Sequence, residues 1–252
     1  MLAIIFSHEM GHYWAARRYR VASTLPFFIP FPFLPFTLIG TLGAFILIRS
    51  RFPHRKALLD IGLAGPFAGF LVAIPALVVG IYTSRPSPPL PYESSISFGE
   101  PLLFQWLAGS IWSNMPEGHV LYVSPIGIAA WFGLLLTALN LLPVGQLDGG
   151  HASYALLRRG AHRLSAWAFF AFLPMAYFGP SWLIWALLLY VLGIRRPHPP
   201  TLVDEIPPPR SRYVLGIAAL AVFIVSFTPE PIEFHWLDVW NGLTDGVRGW
   251  LT

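Results

Sequence analysis

The sequence contains no cysteine and few charged residues. Without thiols the chain can form neither disulfide bonds nor thiolate metal sites, so any metal site would have to use other side chains, such as histidine and carboxylates. Asp, Glu, Lys and Arg make up only 11% of the 252 residues, while 55% are hydrophobic. A soluble domain usually carries about 25% charged residues. Scarce charge and recurrent long apolar runs therefore indicate an all-α polytopic membrane protein.

The basic residues indicate a lipid bilayer as a partner and predict no nucleic-acid partner. The formal net charge is +4, but Lys and Arg flank apolar runs instead of forming a patch interleaved with aromatic residues. If the first helix ends in the cytoplasm and the spans alternate, all 16 Lys and Arg except Arg85 and Arg248 are cytoplasmic, as the positive-inside rule requires. We therefore expect an integral, multi-pass membrane protein. Its expected location is a bacterial cell (inner) membrane. The N-terminus shows no basic region of a cleavable signal peptide.

The apolar runs predict about six transmembrane helices in three consecutive parts. Residues 1–160 should form a membrane core, residues 161–228 additional transmembrane helices, and residues 229–252 an interfacial amphipathic tail. Within the core we expect a helix at 2–19, a re-entrant or β-hairpin segment at 25–53, a helix at 56–82, an extracytoplasmic loop at 84–118 and a helix at 119–142. Repeated prolines exclude a regular spanning helix in the segment 25–53.

Residues 8–12 read HEMGH and lie inside an apolar run. Residues four apart on an α-helix differ by about 40° in azimuth, so His8 and His12 project from one face and can bind one zinc ion. Glu9 lies about 100° further round, where it can act as a general base on water activated by the metal. The alternative is a pair of buried, hydrogen-bonded histidines, but ionisable residues inside an apolar segment usually mark a functional site.

A third ligand is needed, and Asp148 in NLLPVGQLDGG is the best candidate. A hydrolytic zinc site has three protein ligands and one open position. Pro143 and Gly145 break the preceding helix, and irregular backbone at membrane depth is tolerated where it is buried in protein or lines a wet cavity. Two alternatives remain: Asp148 caps a helix that starts near Gly149, or His151 is the ligand.

Two further features of the second helix concern packing rather than chemistry. LAGPFAGF at 63–70 offers small residues that let neighbouring helices approach closely, and we assign it no catalytic role. Asp60 is expected to pair with Arg55 or Lys56 at the membrane interface.

HEMGH, LAGPFAGF and NLLPVGQLDGG, in this order, resemble the site-2 protease family of intramembrane zinc metalloproteases, particularly its bacterial and chloroplast branch. The resemblance covers roughly residues 1–160. It implies that His8, His12 and Asp148 bind one Zn²⁺ per chain, that Glu9 is the general acid/base, and that Asn140 holds substrate or stabilises the oxyanion. Members generally carry a spanning helix before the HExxH helix, whereas only seven residues precede His8 here.

The resemblance implies a metalloendopeptidase that hydrolyses peptide bonds in or near transmembrane segments of membrane proteins, as in regulated intramembrane proteolysis. The segment Gly40, Thr41, Leu42, Gly43 and Ala44 either offers an edge strand to the substrate backbone or merely forms a buried hairpin.

Two other functions compete with proteolysis. A metal-binding membrane transporter would usually show repeated halves, and none are present in the sequence. A non-catalytic family member acting as an interaction module would be expected to lose a ligand or the general base, and the sequence retains all four residues. The sequence does not define the substrate or the oligomeric state.

Overall fold

The computed structural model of the chain describes residues 1–30, 41–88, 96–175, 177, 182–183, 186–187, 190, 200–229 and 231–234. Its helices in this part are α1 (Leu2–Arg18), α2 (Arg55–Tyr82), α3 (Leu102–Ile111), α4 (Pro125–Leu141), α5 (Asp148–Leu157), α6 (Gly160–Met175) and α7 (Tyr213–Ser226). The strands are β1 (Phe27–Pro30), β2 (Thr41–Phe45), β3 (Arg85–Ser87), β4 (Ile96–Phe98), β5 (Val120–Tyr122) and β6 (Ile232–Phe234). They form three antiparallel pairs, β1–β2, β3–β5 and β4–β6.

Helix α2 is the long apolar element of the fold. It has 28 residues, its most apolar stretch of 18 residues has a mean hydropathy of 2.1, and it is the one helix in the described residues that is long and apolar enough to cross a membrane. At 1.5 Å per residue it spans about 42 Å, more than the bilayer core of about 30 Å. The prediction of a mostly helical chain with a hairpin after the first helix is confirmed. Six spanning helices are not seen, since the other described helices have 10–17 residues.

The segment predicted as a loop at 84–118 contains regular structure. Strands β3 and β4 and the ten-residue helix α3 lie within it. Phe104 of α3 is buried in a hydrophobic cluster with Leu77 of α2 and Trp131 of α4. The sequence does not mark α3 as a separate helix, because its apolar run is only ten residues long and lies between stretches rich in Pro and Ser.

The helix predicted at 119–142 begins later than expected. Residues 120–122 form β5, and α4 starts at Pro125 because the Ser124 hydroxyl caps it by accepting a hydrogen bond from the Gly127 amide at 3.3 Å. Proline at the first helical position has no amide that would need a partner. A Ser-Pro pair is therefore the local signal that marks this boundary.

The last two predicted parts are described only partly. Helices α6 and α7 lie within 161–228 apart from Gly160, and most of residues 176–199 fall outside the described part. Of the predicted tail at 229–252, residues 232–234 form β6 and pair with β4, while residues 235–252 lie outside the described residues.

The helices of the core approach each other where their side chains are smallest. A Cβ added at Gly80 of α2 would overlap the backbone of Gly127 in α4. A Cβ at Gly11 of α1 would overlap the carbonyl of Ala64 in α2. The contact of Gly11 with Ala64 confirms the small-residue packing predicted for residues 63–70, and the two contacts hold α1 and α4 against α2.

We expect Gly80→Ala to destabilise the protein by about 1–3 kcal/mol, because the α2 and α4 backbones must separate to admit a methyl group. The measurement is unfolding in detergent micelles monitored by circular dichroism. Gly109→Ala is the matched control, since a Cβ at this α3 position meets nothing within 4 Å and alanine favours helix by about 1 kcal/mol. Equal stability of the two variants would contradict the tight α2–α4 crossing.

Candidate metal centre

Helix α1 presents His8 and His12 together on its buried face, one turn apart. Their relative exposures are 4% and 8%, and their Nε2 atoms lie 3.1 Å from each other. The i, i+4 spacing alone predicted this shared face. The structure adds the direction of both rings, which point toward the first turn of α5.

Helix α2 provides the space in which the two imidazoles lie. A Cβ at Gly65 would overlap the His12 ring, and a Cβ at Gly69 would come within 3.2 Å of Cβ of His8. The two glycines are also four residues apart, so the antiparallel α1 and α2 match one glycine to each histidine. From the sequence, LAGPFAGF is predicted only to pack helices. The spacing of its two glycines, identical to that of the histidines, is the signal that could have placed each glycine against an imidazole.

Asp148 reaches both imidazoles from α5. Its Oδ2 lies 3.1 Å from His8 Nε2, and its Oδ1 lies 3.3 Å from His12 Nε2. Asp148 is the first residue of α5 rather than its cap: the N-cap is Leu147, which makes no side-chain capping bond. The capping alternative is therefore wrong, and the Asp148 carboxylate points into the cluster.

The donor atoms fit a tetrahedral zinc ion. Ligand atoms about 2.05 Å from a tetrahedral ion lie about 3.3 Å from one another. The two Nε2 atoms lie 3.1 Å apart, each lies 3.1–3.3 Å from a different oxygen of Asp148, and one donor atom from each residue lies within 4.8 Å of the other two. The His12 Nδ1–H donates to the Ile61 carbonyl at 2.8 Å. This hydrogen bond leaves the Nε2 lone pair directed at the cluster, as is usual for a metal-binding histidine.

A cavity of about 310 Å³ opens beside the three donors. Glu9 lines it, and the Ile46 backbone amide hydrogen-bonds the Glu9 carboxylate. Asn140, near the end of α4, lines the same cavity, with its Nδ2 at 3.3 Å from His8 Nε2. Gln146, which the sequence analysis did not select, also lines it and is exposed. Polar side chains therefore converge on a cavity that is otherwise mostly apolar.

The predicted substrate segment lies partly at this cavity. Gly43 and Ala44 belong to β2 and line the cavity wall. Gly43 has φ of +124°, a backbone conformation that favours glycine. Thr41 and Leu42 also lie in β2, where only their backbone is described, and Gly40 lies outside the described residues. His151, the alternative ligand, lines the cavity as well, while the three-donor group consists of His8, His12 and Asp148.

Two imidazoles and a carboxylate around one point, with a second carboxylate beside them, form a metal-binding site of the kind used by metal-dependent hydrolases. The sequence model of peptidase family M50 matches residues 1–176, and the chain belongs to this family. The predicted resemblance to the site-2 proteases is thereby confirmed, and the family is membrane-embedded.

Named relatives agree with this membership. The probable zinc metalloprotease EGY2, chloroplastic, of Oryza sativa subsp. indica is 33% identical over 236 residues, 92% of this chain and 42% of the relative. The probable zinc metalloprotease EGY1, chloroplastic, of Arabidopsis thaliana is 31% identical over 253 residues, 98% of this chain and 43% of the relative.

The chain spans about two fifths of the length of the curated relatives it matches (42% and 43%). Their chloroplastic names conflict with the expectation of a bacterial cell membrane. No solved structure matches the chain.

We expect Gly65→Ala to weaken Zn²⁺ binding by at least about tenfold, because the new methyl group would displace the His12 ring from Asp148. Competition with a chromophoric chelator measures the affinity. Gly160→Ala is the control, since its Cβ would make only an ordinary contact with Leu157 at 3.5 Å. If Gly65→Ala bound zinc with wild-type affinity, the space left by Gly65 would not be needed to position His12.

Proposed function

We propose that the chain carries the active site of an intramembrane zinc metalloendopeptidase that hydrolyses peptide bonds in or near transmembrane segments of other proteins. The observation that carries the proposal is the convergence of His8, His12 and Asp148 beside Glu9 at one cavity. Membership of peptidase family M50 and relatives named as zinc metalloproteases support the same reaction.

His8, His12 and Asp148 would hold one zinc ion per chain through two Nε2 atoms and a carboxylate oxygen. When bound, zinc lowers the pKa of a coordinated water to about 7 and polarises the scissile carbonyl. The protein supplies three donors, which leaves one position of a tetrahedral ion for the reacting groups. The hydrogen bond from His12 to Ile61 fixes one ring in the tautomer that this arrangement needs.

Glu9 is the proposed general acid/base. It follows His8 in the chain and points into the cavity rather than into the donor cluster. Its carboxylate would take a proton from the attacking water and return it to the leaving amine. Asn140 borders the same space and would donate an amide hydrogen bond to substrate or to the developing oxyanion.

Strand β2 is the proposed substrate platform. A peptide bond in a helix is shielded by its own hydrogen bonds, so the substrate must unwind before water can attack. Among the described strands, β2 pairs only with β1 and along one edge. Its other edge could bind extended substrate backbone by strand addition, and Gly43 and Ala44 already lie at the cavity. The proposed contact segment is the predicted one, residues 40–44.

The proposed setting is a lipid bilayer crossed several times by the chain. Helix α2 is the described span, and we propose that α1, α4, α6 and α7 also lie in the membrane, where tilt and neighbouring helices offset their shortness. Transmembrane proteins are the proposed substrates, which places the enzyme in regulated intramembrane proteolysis.

Glu9→Gln tests the reaction directly. The amide cannot accept the proton of water, so we expect cleavage of a fluorogenic transmembrane peptide in proteoliposomes to fall at least about 100-fold, with zinc stoichiometry unchanged. Glu117→Gln, at an exposed position, is the matched control and should cleave as wild type does. If the wild type binds zinc but cleaves nothing, a metal-binding transporter or an interaction module becomes the better proposal.

Asp148→Ala tests the third ligand. Loss of a ligand should cost more than loss of a supporting hydrogen bond, so we expect zinc affinity to fall at least about 100-fold. His151→Ala is the comparison and should keep its zinc in the same metal analysis by atomic emission. If His151→Ala lost zinc and Asp148→Ala kept it, His151 would be the third ligand.

A further inference from the structure

Residues 200–212, which we call the strap, pack against the start of α2 and the end of α5. The Leu202 amide donates to the Phe52 carbonyl and the Val203 amide to the Pro53 carbonyl, each at 3.0 Å. A parallel bridge between His54 and Val203 continues this pairing. The strap therefore runs along the chain just before α2.

Asp204 of the strap binds the C-terminal end of α5. Its Oδ2 accepts hydrogen bonds from the Tyr154 hydroxyl at 3.0 Å and from Arg158 Nε at 2.9 Å. Its Oδ1 accepts from the Thr201 amide at 3.3 Å and from the Thr201 hydroxyl at 3.1 Å. Burial alone would raise the pKa of the Asp204 carboxyl, but the hydrogen bonds from Arg158 and Thr201 outweigh it and lower the pKa. Asp204 is therefore ionised at neutral pH.

A second group holds the same end of α5. The buried Arg55, at the start of α2, donates from Nε to the Ala155 carbonyl at 2.8 Å and from Nη2 to the Leu156 carbonyl at 2.9 Å. These carbonyls belong to the last turn of α5, which has no helical donors for them, and a cation there also suits the helix dipole. The predicted pairing of Asp60 with Arg55 or Lys56 is wrong, because Arg55 is used here and Asp60 pairs with Arg212 instead.

The other end of the strap contacts the end of α1. Arg212 Nη2 lies 3.1 Å from Asp60 Oδ2, and the Tyr19 hydroxyl donates to the same oxygen. Tyr19 directly follows α1, the helix that carries both candidate histidine ligands. The strap thus contacts α5 through Asp204. Through Arg212 it contacts Asp60 of α2, which also binds Tyr19 at the end of α1.

We propose that Asp204 is a positioning residue of the metal centre and acts through α5. The inference rests on the proposed function, since zinc is the group positioned. Helix α5 has ten residues and is about 15 Å long, and Asp148 begins it. Because so short a helix moves as a rigid rod, holding its last turn sets the height and rotation of Asp148. A metal site tolerates errors of only about 0.5 Å.

The proposal extends the site beyond the part of the chain that the family model covers. That model ends at residue 176, while Asp204 and Arg212 lie past it. Three groups from separate parts of the chain, Arg55, Asp204 and Arg212, therefore tie together the elements that carry the three donors.

The test compares Asp204→Asn with Glu205→Gln in the full-length protein in detergent micelles. Asn keeps the shape of the side chain but loses its charge, and Glu205 is an exposed neighbour in the strap. We expect Asp204→Asn to weaken zinc binding by about tenfold, within the range for groups that support ligands, and Glu205→Gln to leave it unchanged. Tyr154→Phe, which removes a single hydroxyl, should give a smaller loss in a protein that folds.

The absorption spectrum of bound Co²⁺ distinguishes positioning from general stability. A displaced Asp148 changes the wavelength and intensity pattern of the d–d bands, whereas partial unfolding only scales the spectrum down. If zinc affinity and band shape were unchanged in both Asp204→Asn and Tyr154→Phe, the positioning role of Asp204 would be overturned and the proposed function would stand. Absence of metal binding by the wild type would instead overturn the proposed function, and this inference with it.

Discussion

The structure depends on a carboxylate placed between two buried imidazoles. The Asp148 oxygens lie 3.1 and 3.3 Å from the Nε2 atoms of His8 and His12. Burying a carboxylate costs several kcal/mol unless a cation compensates it. A divalent ion bound by the three side chains would offset this cost. Helices α1, α2 and α5 are packed so that these three side chains meet at one point.

Close approach of the helices is the condition for this geometry. Glycines of α2 lie against the rings of His8 and His12, and Gly11 lies against the α2 backbone. The break between α4 and α5 turns the chain so that Asp148 faces α1. Irregular backbone at membrane depth must be buried and satisfied: Val144 is fully buried, and the Ser165 hydroxyl donates to the Pro143 carbonyl at 2.6 Å.

The site has two sides with different tasks. On one side a cavity lined by Glu9, Asn140 and β2 gives access to the donors. On the other, Arg55 and the strap hold the last turn of α5. In the proposed enzyme, chemistry and substrate access would thus be separated from support, so the access side would admit substrate while the donors stay fixed.

Features set by residues close together in the chain could be predicted from the sequence. Helical periodicity put His8 and His12 on one face with Glu9 beside them, the absence of cysteine confined the donors to His and carboxylate, and a proline–glycine break marked Asp148. It could not determine α3, the matching of Gly65 to His12, or the contacts of Asp204 with α5. These depend on contacts between residues 27–53 positions apart, which local periodicity does not record. Only the tertiary structure decided them, because packing of separate helices fixes which distant side chains meet.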